Sequence, residues 1–76
     1  MRRALYPGTF DPMTNGHLDL VRRASQIFDE VIIGVSENLN KTKLFNMDER
    51  IEIANHITND IENVKVIGFS GLLIDF

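Results

Sequence analysis

The chain has 76 residues, no cysteine, a formal net charge of −3 and a pI near 5.2. This length allows one small domain, and the shares of hydrophobic (43%) and charged (25%) residues are those of a globular protein. The negative charge argues against nucleic acid as a partner, and without cysteine neither disulfides nor thiolate metal sites can form. No span approaches the roughly 20 apolar residues of a membrane helix, and the apolar run at the amino terminus is too short for a signal peptide, so a soluble, cytoplasmic protein is expected.

The predicted elements alternate between strand and helix. A short strand over residues 2–6 should end at Pro7, since proline cannot donate to a strand ladder. Apolar residues at helical spacing predict a helix from residue 16 to residue 28, with Asp19 in the first turn, where a carboxylate suits the helix dipole. The β-branched run at 31–35 is typical of a parallel strand covered on both faces.

A second helix and a third strand follow. Asn46 and Glu49 fit an N-cap and its capping-box partner. The apolar face of this helix is supplied by Ile51, Ala54, Ile57 and Ile61. A strand at 64–69 and the start of a third helix at 72–76 complete the chain. The predicted fold is therefore α/β, a Rossmann-like βαβαβ half-domain with strand order 3-2-1, whose first strand lies at an open edge that invites pairing with another chain.

The loop after the first strand contains the chemistry expected of a phosphate site. Gly8-Thr9-Phe10-Asp11-Pro12 is followed by Thr14-Asn15-Gly16-His17 where the first helix begins. Glycine allows backbone to approach a ligand closely, and helix N-termini attract anions. The spacing matches neither the dinucleotide fingerprint nor a Walker P-loop.

These motifs resemble those of the nucleotidyltransferases, and of bacterial phosphopantetheine adenylyltransferase in particular. Lys41, Phe45, Glu49-Arg50 and Gly68-Phe69-Ser70 extend the resemblance along the chain in matching order. It implies transfer of AMP from ATP to 4′-phosphopantetheine, giving dephospho-coenzyme A and pyrophosphate, with Mg²⁺ accompanying ATP, in a hexameric enzyme. Because that family needs about twice this length, residues 1–76 are expected to form the amino-terminal half of a single nucleotidyltransferase domain.

The resemblance also implies roles for individual residues. His17 would bind the α-phosphoryl group in the transition state, and Thr9 would lie between the phosphates of both substrates, with the backbone of Thr9 and Phe10 against ATP. Lys41 would bind the acceptor phosphate, and Leu73 the pantetheine arm. The alternatives are a helix cap for His17, turn closure for Thr9, a solvated surface for Lys41 and packing for Leu73.

Other polar residues are predicted to be structural. Asp11 should bond backbone within its own turn, and it forms no recognised zinc spacing with the nearby His17 and Asp19, so no protein-bound metal is expected. Arg50 and His56 on the second helix are predicted to be solvated and ion-paired. Met13 and Met47 are predicted to pack in the core.

Two alternative functions remain open at this stage. One is another nucleotidyltransferase, such as nicotinate-nucleotide adenylyltransferase or a cytidylyltransferase. The other is a non-catalytic fragment that binds ligand or self-associates as a dimer or larger species. The Arg-Gly-(Leu/Ile)-Arg and Ser-Ser-Ser-x-x-Lys segments with which the resembling family binds ATP do not occur here, so this chain alone should have weak or no activity.

Overall fold

The computed structural model describes residues 1–37 and 45–70. Within these ranges the elements in chain order are β1 (Arg3–Gly8), α1 (Asn15–Ile27), β2 (Glu30–Glu37), α2 (Met47–Ile57) and β3 (Val64–Ser70). The three strands are parallel and lie in the order β1-β2-β3. The predicted α/β class, the βαβαβ connectivity and the position of β1 at an edge are confirmed, and the predicted third helix falls outside the described residues.

β1 extends two residues beyond its predicted end. It continues through Pro7, which lies opposite Gly34 of β2, and ends at Gly8. The prediction was wrong because proline was treated as a terminator, whereas an edge strand tolerates a residue without an N–H group.

The core lies on one face of the sheet. Along β2, the side chains of Val31, Ile33 and Val35 are at most 1% exposed. Val21 of α1 and Ala54 of α2 belong to the same buried cluster. Both helices cover this face because each strand-helix-strand crossover is right-handed and each leads to the next strand in the same direction across the sheet. Two such crossovers place their helices on the same side.

The opposite face of the sheet has apolar side chains that neither α1 nor α2 covers. Leu5 of β1 and Ile67 of β3 are 41% and 42% exposed on this face. At Gly34 an added Cβ would lie 2.9 Å from the ring of Phe69, so the ring lies directly over the β2 backbone. On this face of β2, Gly34 is buried beneath the Phe69 ring, whereas Ile32 is only half-buried among the described residues.

The two helices begin with matching caps. Thr14 is the N-cap of α1, so Asp19 lies beyond the first turn and forms an ion pair with Arg23 at 3.1 Å instead of facing the helix N-terminus. At α2 the predicted capping box is confirmed: the Glu49 N–H donates to Asn46 Oδ1 at 2.8 Å, and the Asn46 N–H donates to Glu49 Oε1 at 3.0 Å. None of the helices in the described ranges is long and apolar enough to cross a membrane.

Candidate functional site at the carboxyl edge of the sheet

The loop between β1 and α1 is held by a buried aromatic residue in a left-handed conformation. Phe10 has φ 48°, and its ring is 3% exposed. For a non-glycine residue such a conformation costs on the order of 1–3 kcal/mol and persists only where the surroundings determine it. The ring also packs closely against Gly8, where an added Cβ would lie 3.0 Å from it. The loop backbone is thus fixed by packing beneath it.

His17 completes the cap of α1 with its side chain. The Thr14 N–H donates to Nδ1 of His17 at 2.9 Å, the Thr14 hydroxyl lies 3.0 Å from the same nitrogen, and the His17 N–H donates to the Thr14 hydroxyl at 3.4 Å. A main-chain N–H can only donate, so Nδ1 is an acceptor, and the neutral ring has its proton on Nε2. His17 therefore caps α1 through Nδ1, and this arrangement leaves Nε2–H as a donor.

Two aromatic rings set the orientation of the imidazole. The rings of Phe10 and His17 are T-shaped with centroids 4.9 Å apart, and the rings of Tyr6 and His17 meet edge-on at 6.2 Å. Such pairs contribute roughly 0.5–1.5 kcal/mol beyond their buried area. The histidine is thus fixed both by its hydrogen bonds and by its ring contacts.

Asp11 connects this loop to the start of α2. Its Oδ1 accepts the N–H of Phe45 at 2.8 Å, and its peptide bond to Pro12 is cis. The structural role predicted for Asp11 is confirmed, and the bond to Phe45 adds a partner 34 positions away in the sequence, beyond its own turn. Met13, two residues on, is buried in the core as predicted.

Arg50 is the residue whose role sequence reasoning missed. Its side chain is 1% exposed, contrary to the predicted solvated position. Nε donates to the carbonyl of Phe45 at 3.2 Å, and Nη1 donates to the carbonyls of Thr9 at 2.9 Å and Ser36 at 3.0 Å. The sequence did contain an indication that Arg50 is buried, because position 50 lies four residues before Ala54 and therefore on the same apolar face of the helix.

Three of the predicted site residues come together at this edge. Thr9, Phe10 and His17 lie on the β1–α1 loop and the first turn of α1, where β1 ends. Lys41 and Leu73 fall outside the described residues. Across the described ranges no group of three His, Cys, Asp or Glu side chains could hold a metal ion.

The charges at this edge favour an anion at α1. The carboxyl ends of β1 and β2 lead into the N-termini of α1 and α2, where unpaired N–H groups and the helix dipoles attract negative charge. The first turn of α2 already contains Asp48 and Glu49, whereas that of α1 has no acidic residue. An anion beside α1 would also meet the Nε2–H of His17.

An ion pair between Arg22 and Asp60 lies away from this edge of the sheet. The Arg22 guanidinium donates to Asp60 at 3.0 Å, and this hydrogen bond holds the pKa of the Asp60 carboxyl below its usual range. Asp60 lies in the turn before β3, at the amino edge of the sheet. His56 is exposed on α2, as predicted.

Comparison with known proteins agrees with this geometry. The cytidylyltransferase-like family matches residues 5–76. Over all 76 residues the chain is 59% identical to a phosphopantetheine adenylyltransferase from Clostridium kluyveri, and it covers 46% of that protein. The chain therefore spans about half the length of this curated relative.

Solved structures give the same fold. A NadR protein in complex with NR is 27% identical with a TM-score of 0.79, over 90% of this chain and 19% of that one. NadR in complex with NAD and AMP-PNP is 26% identical with a TM-score of 0.80, over 91% and 20%. A bifunctional NMN adenylyltransferase/ADP ribose pyrophosphatase from Francisella tularensis, complexed with AMP and a manganese ion, is 23% identical with a TM-score of 0.73, over 93% and 23%, and shows the fold alone.

Proposed function

This chain belongs to the cytidylyltransferase-like family, and we propose that it forms the nucleotide-binding half of a phosphopantetheine adenylyltransferase. The reaction would join AMP from ATP to the phosphate of 4′-phosphopantetheine, with dephospho-coenzyme A and pyrophosphate as products. The 59% identity to the Clostridium kluyveri protein favours this acceptor over the others used by the superfamily. This chain alone would have weak or no activity.

The observation that carries the proposal is the hydrogen bond from the Thr14 N–H to Nδ1 of His17 at 2.9 Å. It fixes the tautomer of the neutral ring with its proton on Nε2, at the N-terminus of a helix without acidic residues in its first turn. A donor held in this way can bind an α-phosphate oxygen and bind it more strongly as negative charge accumulates there.

The proposed reaction needs positioning rather than a strong base. An oxygen of the acceptor phosphate, already anionic, attacks the α-phosphorus of ATP, and the bond from that phosphorus to the bridging oxygen of pyrophosphate breaks. His17 would donate through Nε2 to a non-bridging α-oxygen. Thr9 would lie between the two phosphate groups, and Lys41 would hold the acceptor phosphate as a point charge.

Magnesium would enter with ATP. Mg²⁺ prefers phosphate oxygens, water and one or two carboxylates, so it requires no protein cage. Oδ1 of Asp11, the carboxylate of the β1–α1 loop, accepts the N–H of Phe45, so we propose no direct metal contact for it. The ion would neutralise charge on the phosphates of the nucleotide.

The alternative of a non-catalytic half-site is favoured by one observation. Nucleotide binding requires only the features described at the start of α1, the His17 donor and the helix N-terminus, whereas transfer also requires the acceptor phosphate to be held. In that case the chain would bind nucleotide or self-associate without transferring AMP.

A chimera tests the proposal. Residues 1–76 replace the matching segment of the Clostridium kluyveri protein, and pyrophosphate release is measured with ATP and 4′-phosphopantetheine. Turnover within about tenfold of the intact relative supports the proposal, with the His17→Ala chimera as the inactive control. A folded chimera that binds ATP without turnover would contradict the proposal and support the non-catalytic alternative. A chimera that prefers nicotinate mononucleotide or CTP as substrate would show that the chain comes from another nucleotidyltransferase.

A further inference from the structure

Arg50 holds together three segments at the carboxyl edge of the sheet. From α2 its guanidinium reaches the carbonyl of Thr9, 41 residues away in the sequence, as well as those of Ser36 at the end of β2 and Phe45 before α2. All three bonds end on backbone, and Nη2 is buried without a hydrogen-bond partner among the described residues. A buried cation placed in this way connects loops rather than neutralising a carboxylate on its own helix.

The bond to Thr9 also orients the next amide. In a trans peptide the C=O and the following N–H point in opposite directions. Because the Thr9 carbonyl faces Arg50, the N–H of Phe10 faces away from the guanidinium. No backbone carbonyl of the described residues accepts that N–H.

We propose that Arg50 is a positioning residue for adenylyl transfer, which fixes the Thr9–Phe10 peptide so that the Phe10 N–H is presented to the nucleotide phosphates. The proposal rests on the function proposed above, but it concerns a residue that touches neither substrate. Arginine suits this task because its planar fork reaches separate acceptors in fixed directions. A lysine ammonium is a point charge and cannot span the three carbonyls.

The first test reads the geometry of the loop without any reaction. In the 76-residue chain the amide signal of Phe10 is followed by ¹⁵N NMR during titration with pyrophosphate. We expect Arg50→Lys to move the Phe10 signal before any ligand is added and to weaken pyrophosphate binding at least about fivefold. The matched control is Arg23→Lys, at an exposed arginine paired with Asp19 on α1, which should change neither.

The second test uses the chimera. Arg50→Lys should lower kcat by about tenfold or more, while KM for 4′-phosphopantetheine changes less than about threefold, because the loop acts on the nucleotide. Measurements are made well below the Tm of each variant, and Arg50→Gln replaces Arg50→Lys if the latter does not fold.

An unchanged Phe10 signal together with an unchanged kcat would show that Arg50 only stabilises the fold, whatever the loss in Tm. An inactive unmutated chimera would refute the proposed function alone, since the NMR experiment still decides the role of Arg50.

Discussion

The ring of Phe10 meets the imidazole of His17 edge-on, with centroids 4.9 Å apart and planes at 72°. The same Phe10 has a left-handed backbone, so the conformation that turns its ring into the core also shapes the loop in front of α1. Strain in the loop and orientation of the histidine are therefore consequences of one packing arrangement.

Replacing Phe10 with leucine should loosen the histidine more than it unfolds the protein. The loss of aromatic contact and buried area should cost about 1–3 kcal/mol of unfolding free energy. In the chimera we expect kcat to fall about tenfold with little change in KM for ATP. Phe28→Leu, at the C-cap of α1, is the control and should leave kcat unchanged. Equal kcat for the two variants would show that the ring contact does not orient His17.

His17→Ala should depress turnover far more than ATP affinity, because the proposed hydrogen bond strengthens in the transition state. The loss of one such donor costs roughly 10²–10³-fold in rate. Steady-state kinetics of the chimera and calorimetric ATP binding measure the two quantities separately. His56→Ala, at an exposed histidine of α2, is the matched control. Near-normal turnover without His17 would remove its proposed role.

Lys41→Ala should chiefly weaken binding of the acceptor. A flexible point charge that contacts the acceptor phosphate before and during the reaction contributes uniform binding, so its loss raises KM more than it lowers kcat. Lys43→Ala is the control, since this lysine is expected to face solvent. If calorimetry gives the same 4′-phosphopantetheine affinity for both variants, Lys41 is a surface residue.

The pair of Arg22 and Asp60 should make a pH-dependent contribution to stability. The hydrogen bond from Arg22 lowers the pKa of Asp60 in the folded state, so the pair stabilises the fold above the unfolded pKa of the carboxyl. This contribution is lost as the pH falls through the folded pKa, below about pH 4. Urea unfolding of wild type and Asp60→Asn should therefore differ at pH 7 and converge near pH 2. A difference that is independent of pH would assign the effect to something other than this ionisation.

The 76-residue chain is expected to self-associate. β1 is an edge strand, and Leu5 and Ile67 leave apolar surface on the uncovered face of the sheet. Sedimentation across a dilution series should show a dimer or larger species that dissociates on dilution. Ile67→Lys should favour the monomer, whereas Ile27→Lys, at an exposed residue of α1, should not. A monomer that unfolds cooperatively at micromolar concentration would contradict this expectation.

Local patterns were enough to predict the order and type of the elements. Hydrophobic period and capping residues act over a few positions, and they correctly gave the two helices, the three strands and the Asn46–Glu49 cap. The grouping of Thr9 and Phe10 with His17 also follows from local sequence, because one loop and one helical turn contain all three.

Contacts between distant segments could not be obtained in this way. Arg50 was predicted to be solvated because its partners are carbonyl oxygens, which every residue possesses and which no sequence pattern marks. The bond from the Phe45 N–H to Asp11 could not be predicted either, because a backbone N–H is likewise not marked by any sequence pattern. The tautomer of His17 became accessible only once the Thr14 amide was seen to donate to its ring.

The placement of α1 and α2 on one side of the sheet has a consequence for how such proteins diversify. The β1–α1 loop, its buried Phe10 and the Arg50 contacts are all supported by the helix-covered face, and the described part of the chain contains that whole arrangement. These contacts lie on the helix-covered face, away from the exposed Leu5 and Ile67 on the opposite face of the sheet. The NadR structures, in which this fold occupies about one fifth of the chain, indicate that the unit is shared among proteins of very different size. Proteins of different length thus have this part of the fold in common.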